Sequence, residues 1–398
     1  MKQIARHLYR KIRAQVLQRI IPKSNAPLPS QPQLRIEVIG FFHSISGIAE
    51  SARLCVQQLE EDGYQVNCTS VETFFRKPTE CEWSWNNTIP KEEINCRIYH
   101  LNPPMLPPVI LQMGAEQFKR TFNIGYWAWE LEAIPAEWIK ATAYMNAIMT
   151  PSKFTTDTIK RYTDEPVLTV THPVAPEEPS RDIRTRLNIP EDAFMVTNIF
   201  SFGSAMERKN PMGLISAFKK AFTSTDNAFL VLKSNSGNDS EEKKLLLASI
   251  DGFPNIILID SHWSKKDILG LISSADIYAS LHRSEGFGLT IAEALLLNTP
   301  PLATAWSGNM DFCTEDNSFM VDYIPIPVNS SHPEFQEFKD ATWADASVQT
   351  AADHLKSAYD NRMKLTNKKK YCRIQMQEII DTQKYEHALT QLCNSYRH

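Results

Sequence analysis

Two carboxylates stand eight residues apart, Glu285 and Glu293, in residues 280–294, SLHRSEGFGLTIAEA. The apolar run before them reads as a buried strand, the Gly-x-Gly after Glu285 as a tight loop, and the run from Leu289 as a helix. Such a turn suits an anion. Gly286 and Gly288, with Phe287 between them, let a ligand approach the backbone, and the N–H groups of Leu289 and Thr290 at the helix opening can hold phosphate oxygens. The spacing puts Glu285 at the strand end and Glu293 about one turn into the helix, so both can face one cleft. A carboxylate accepts two hydrogen bonds from a vicinal diol, which suits Glu293 to a ribose 2′,3′-diol and Glu285 to sugar hydroxyls. This is an arrangement for recognition rather than an acid/base pair. His282 and Arg283 directly precede the loop, where an imidazolium or guanidinium can meet hydroxyls or phosphate. Taken singly, Glu285 also reads as a solvated loop residue and Glu293 as a helix-surface residue placed by the helix dipole.

The elements that would position these groups alternate along the chain. Apolar runs at 35–42, 64–70, 97–101, 123–128, 146–150 and 167–172 read as strands, with a helix over 47–62 after the first. After the proline-broken stretch 172–179 a second series follows at 194–200, 229–233, 256–259, 276–281, 301–304 and 319–321, with helical segments between. The fold class is therefore α/β, with two doubly wound parallel-sheet domains whose ligands are expected at the carboxyl ends of the strands, in a cleft between the domains. The expected domains are 34–178 and 179–375, preceded by a basic helix and spacer over 1–33 and followed by a helix over 376–398 that packs back towards the first domain. A chain of 398 residues with 42% hydrophobic and 22% charged residues supports two such cores.

Bulk properties exclude several classes. A net charge of −4 gives no general attraction for nucleic acid. The seven cysteines are odd in number and form no C-x-x-C pair, which points to a reducing cytoplasm rather than a disulfide framework or zinc knuckle. No apolar stretch is long enough to span a bilayer. Lys2, Arg6, Arg10 and Arg13 flank an apolar stripe of Ile4, Ala5, Leu8, Tyr9, Ile12 and Val16, and no acidic residue precedes Glu37. Such a helix, within residues 1–23, either lies on an anionic membrane at its inner face or packs its stripe on the protein.

Residues 280–294 resemble the E-x7-E signature of retaining family 4 glycosyltransferases with the GT-B fold. The likeness covers roughly residues 190–325, because ERKNP at 207–211, DIYASL at 276–281 and PPLATAWSG at 300–308 follow the family's order in its C-terminal domain. The resemblance implies a hexosyltransferase that moves a sugar from a UDP- or GDP-linked donor to a hydroxyl acceptor with retention, in polysaccharide or lipid-linked oligosaccharide assembly. It implies Lys209 at the donor pyrophosphate. With Arg208, this cation would stabilise charge developing on the leaving diphosphate. No cofactor is implied, since the nucleotide sugar is a substrate, and the absence of Asp-x-Asp fits a metal-independent mechanism. The catalytic set is thus Lys209, Glu285 and Arg208.

The departures are specific. Where the family often carries an arginine six residues before the lysine this chain has Gly203, with Arg208 and Arg283 as candidate replacements. FFHSISGIAESAR at 41–53 is similar to the family's G-x-G-E loop, with Gly47 facing the donor and Ala49 at its second glycine. NIGYWAWELE at 123–132 suggests a wall of exposed aromatics, Trp127 with Glu130, against a sugar ring. The family's histidine near this strand end is missing, while His100 and His172 close strands elsewhere and read either as structural residues or as catalysts. Rival readings are a nucleotide-sugar epimerase, a phosphorylase, or a degenerate binding module without catalysis.

Overall fold

The computed structural model describes residues 20–30, 33–203, 205–235, 240–330, 332–338 and 340–395. The expected basic helix falls outside them as far as residue 19. Two compact units divide the chain, one running to Pro173 and resuming at Ile380, the other spanning Val174–Ile379. The sequence reading put these divisions at 178/179 and 375/376.

The first unit holds β1 (Arg35–Gly40), β2 (Gln65–Ser70), β3 (Cys96–His100), β4 (Phe122–Tyr126), β5 (Ala147–Thr150) and β6 (Val167–Thr169). They form one parallel sheet in the order β2-β1-β3-β4-β5-β6. Every residue of β3, β4 and β5 is buried, as expected where crossover helices cover both faces of a sheet. This is why these strands read as continuous apolar runs. Helix Gly47–Glu61 follows β1, capped by Ser46, and buries Ala52, Cys55, Val56 and Leu59 in the core. Helix Tyr385–Ser395 adds Tyr385, Leu389 and Leu392 to the same core.

A buried ion pair sits inside this sheet. Glu37 of β1 and Arg97 of β3 are register partners, and Arg97 Nε donates to Glu37 Oε2 at 2.7 Å with both side chains almost wholly buried. Thr69 donates to the second carboxylate oxygen at 2.7 Å, so the charge is satisfied on both sides.

The second unit holds β7 (Phe194–Ile199), β8 (Ala228–Ser234), β9 (Ile256–Asp260), β10 (Ile277–Ser280), β11 (Pro301–Thr304) and β12 (Phe319–Val321). Their parallel order is β12-β11-β10-β7-β8-β9. The chain therefore winds outward from β7 in one direction and from β10 in the other. An antiparallel hairpin, β13 (Tyr323–Pro327) with β14 (Thr342–Ala346), follows β12. The sequence reading assigned no strands there. Its Tyr-Ile-Pro-Ile-Pro run carries two prolines that argue against a central strand, and a two-stranded ladder tolerates them at its edge.

His100 ends β3 and His172 lies three residues beyond β6, both buried among aromatic rings. The Nδ1 of His100 lies 2.8 Å from Ser51 Oγ, and its ring stacks on Tyr126 at 4.5 Å. Tyr126 donates its hydroxyl to Val170 O at 2.7 Å and lies 3.1 Å from His172 Nδ1. Burial pushes the pKa of His100 well below the usual histidine range and that of His172 down to about 3. Both rings are neutral when folded and gain a proton on unfolding in acid. Their contribution is thus complete above the unfolded value of 6.5 and is lost as pH falls towards 3. Between pH 6.5 and 5, His172 alone should cost about 2 kcal/mol of stability. Thermal melts at pH 7 and pH 5 check this: His172→Gln should lose less Tm on acidification than the parent chain.

Candidate functional site

β7 and β10 are adjacent parallel strands at the point where the winding of the second sheet reverses. The loops that follow them, residues 200–210 and 281–288, therefore leave the same sheet edge side by side, the usual place for a ligand in such a sheet. Short contacts lock the two loops together. Asn210, with φ at 51°, closes the short helix Met206–Lys209 and caps the next, accepting from Gly213 N–H at 3.1 Å. Its amide also donates to Leu281 O at 3.0 Å. The Arg283 N–H donates to Arg208 O at 2.7 Å, and Arg208 Nη1 donates to Ser284 O at 2.8 Å.

The Glu285 carboxylate lies at the centre of this junction, its side chain 10% exposed. Lys209 donates to Oε1, and Arg208 Nη1 is 3.2 Å from Oε2. Burial opposes the charge, yet the two cations outweigh it and hold the carboxyl down to about 2. Glu285 is thus a buried, paired anion, which corrects the reading of it as a solvated loop residue.

A third loop supports the second from below. The Glu285 N–H donates to Ser307 Oγ at 2.8 Å, and its carbonyl accepts from Gly308 N–H at 2.9 Å. A Cβ on Gly308 would stand 2.4 Å from Gly286 O, so only glycine fits there. Gly288, at φ +97°, turns the chain into helix Leu289–Leu296 and brings no capping side chain to its first amides, those of Leu289 and Thr290. Thr290 accepts from the Tyr278 hydroxyl at 2.6 Å, and the buried Phe287 ring packs on Phe312 at 4.9 Å.

Glu293 projects from this helix with a side chain 5% exposed and pairs with Lys265 at the start of helix Lys265–Ser274. It is not a helix-surface residue. Lys265 went unremarked in the sequence, although two lysines opening a helix run against the helix dipole and are a signal of a nearby anion.

Two residues expected at the ligand, His282 and Arg283, make several contacts with the protein. His282 is fully buried, its Nδ1 3.0 Å from Ser280 Oγ and its Nε2 3.2 Å from Trp306 O and 3.0 Å from Asn309 Oδ1. It pins the third loop to β10, and burial lowers its pKa. Arg283 binds Asp345 of β14 at 2.9 and 2.7 Å and donates to Glu207 O at 2.6 Å. It braces the Arg208–Lys209 turn against the hairpin. Gly203 is exposed, with its N–H on Ser201 Oγ at 3.2 Å.

Three expected site residues belong to the first unit. Gly47 is the exposed first residue of its helix. Trp127 is fully buried and Trp129 nearly so, packed on Trp138 at 5.9 and 4.8 Å. These rings are core, which corrects the expected wall of exposed aromatics, and Glu130 beside them is half-buried. A large apolar ring after a buried strand continues into the core more readily than into water. Among the described residues, no three His, Cys, Asp or Glu side chains gather as a metal site.

Residues 180–322 match the family model described as Glycosyl transferases group 1. No curated relative matches the chain. Among solved structures, sucrose-phosphate synthase from Thermosynechococcus elongatus superposes with a TM-score of 0.64 at 14% identity, covering 92% of this chain and 98% of that one. The Anabaena protein HepE, solved with UDP and glucose, gives 0.61 at 13% identity over 91% of this chain and 98% of its own. WaaG, a glycosyltransferase involved in lipopolysaccharide biosynthesis, gives 0.56 at 13% over 91% and 99%. At these identities the likeness to solved structures speaks for the fold.

Gly308→Ala must push residues 285–287 aside and should destabilise the second unit by about 1–3 kcal/mol. Denaturant melts check this against Gly203→Ala, whose Cβ would meet only Ser201 Oγ at 3.5 Å and should cost far less.

Proposed function

We propose that this chain, whose residues 180–322 match the glycosyl transferases group 1 model and whose fold is that of GT-B structures, is a glycosyltransferase that moves a hexose-type sugar from a UDP- or GDP-sugar to a hydroxyl acceptor with retention. The observation that carries this reading is the buried Glu285 carboxylate, paired with Lys209 and Arg208 where the loops after β7 and β10 meet. A diphosphate arriving there meets two cations, the Gly286–Gly288 turn and the opening amides of helix Leu289–Leu296. HepE, a structural neighbour, has been solved with UDP-glucose, which supports a uridine donor among the alternatives.

In the proposed reaction Glu293 holds the ribose diol and Glu285 the hydroxyls of the donor sugar. The acceptor oxygen attacks the anomeric carbon on the face the diphosphate leaves. The bond from that carbon to the phosphate oxygen breaks, and the departing phosphate takes the acceptor's proton. Lys209, 23% exposed and the more mobile of the two cations by chemistry, turns from Glu285 towards the leaving diphosphate as its charge grows. Arg208, 8% exposed, stays to keep Glu285 ionised. The acceptor is a glycan or lipid-linked glycan, the setting polysaccharide or lipid-linked oligosaccharide assembly, and residues 1–23 supply peripheral contact with an anionic membrane at its cytoplasmic face.

Calorimetry with UDP, GDP and their sugar conjugates tests the reading. One nucleotide should bind, and Glu293→Ala should weaken it about ten- to hundredfold. Lys209→Ala should chiefly lower turnover, by about a hundredfold or more, because its charge acts on the leaving group. Failure of every nucleotide to bind would favour a binding module without catalysis, and sugar interconversion without an acceptor would favour an epimerase.

A further inference from the structure

Beyond its half-buried first turn, helix Leu289–Leu296 is apolar except for Glu293: Ile291, Ala292, Ala294, Leu295 and Leu296 surround it in sequence and are all buried with it. A carboxylate in that position needs a cation or several donors, because desolvation without compensation is costly. Lys265 supplies the cation from the neighbouring helix, its ammonium on Glu293 Oε1.

The placement of Lys265 has no explanation within its own helix. Ser264 caps that helix, and Lys265 and Lys266 occupy its first positions, where the backbone dipole is positive and acidic residues are favoured. The acidic residue of the first turn, Asp267, accepts from the capping Ser264 at 2.9 Å with one carboxylate oxygen and from Ser180 at 2.9 Å and Arg186 at 2.7 Å with the other, which accounts for Asp267 but not for the lysines beside it. What accounts for a lysine at 265 is Glu293. The lysine is 41% exposed and the carboxylate 5%, so the pair has one face on water and one in the core. A bond to one carboxylate oxygen fixes the plane of the group and with it the directions from which hydroxyls can donate.

We propose that Lys265 is the positioning residue for diol recognition: its ion pair holds the Glu293 carboxylate in the orientation that accepts the 2′- and 3′-hydroxyls of the donor ribose together. Lys265 thereby sets how strongly the site prefers a ribonucleotide to its 2′-deoxy analogue. The inference rests on the nucleotide-sugar reading above.

The test is calorimetry of UDP and 2′-deoxy-UDP, and of GDP and 2′-deoxy-GDP, with the full chain and with Lys265→Ala, Lys265→Arg and Glu293→Ala. The parent chain should bind the ribonucleotide about tenfold or more tightly than its deoxy form, the scale of one hydrogen bond to a charged group. Lys265→Ala should lose about tenfold for the ribonucleotide and little for the deoxy form, so that the ratio falls towards one. Glu293→Ala should give the same flattened ratio, and Lys265→Arg should restore it. Equal losses for both ligands in Lys265→Ala, or an unchanged ratio, would overturn the proposal, since a merely structural lysine moves both affinities alike. Lys265→Ala leaves a buried carboxylate without its cation, so a lower Tm than the parent chain is expected, with Lys265→Arg close to the parent; a uniform loss of folded protein does not change the ratio of the two affinities, which is the deciding readout. If the parent chain binds no nucleotide, the nucleotide-sugar reading itself falls and this inference with it. If the parent binds but does not discriminate, only the diol inference falls.

Discussion

A negative charge buried without water must be answered by positive charge at contact distance, and the second unit is organised around that requirement at Glu285. Burial alone would raise its carboxyl pKa; Lys209 and Arg208 reverse the sign and hold it at about 2. Both cations come from the loop after β7, and the carboxylate from the loop after β10. The pairing is therefore possible only because these two strands are neighbours in the sheet. The third loop then has to hold the backbone of Glu285 from below, which it does through Ser307 and Gly308 with no room for a side chain. Position, charge and backbone conformation in these three loops depend on one another.

The remaining polar residues of the site serve this junction. Asn210 caps a helix and staples two loops, His282 anchors the third loop, and Arg283 ties the β14 strand to the turn that carries the cations. A guanidinium used as a brace in this way is preorganised, so little side-chain freedom is left to lose when a ligand arrives. The hairpin that supplies Asp345 lies beyond the residues that match the family model, so part of the support for the cationic turn is a feature outside that match.

The first unit handles burial differently. The buried ion pair of Glu37 with Arg97 is built into the register of β1 and β3. The buried His100 and His172 are kept neutral among Ser51, Tyr126 and Val170. The same desolvation thus gives an acid-resistant carboxylate in one unit and acid-sensitive imidazoles in the other, because Glu285 has opposite charges in contact with it whereas burial dominates at His172 over the opposing influence of Glu50.

The sequence by itself determined the twelve parallel strands and the loops between them. Parallel strands covered on both faces are continuous apolar runs, and 301–304 and 319–321 end at the residues where the runs end. Local signals also determined the Gly-x-Gly turn at 286–288 and the helix that follows, since a left-handed glycine and a helix opening are written in adjacent residues. What only the tertiary structure decided is which polar groups meet. Lys209 and Glu285 are separated by 76 residues and Lys265 and Glu293 by 28, and nothing local records either pairing. The fates of Trp127, His282 and Arg283 were hidden for the same reason. A ring or a guanidinium at a strand end can face water or protein, and the choice is made by neighbours that the fold, rather than the nearby sequence, brings to it.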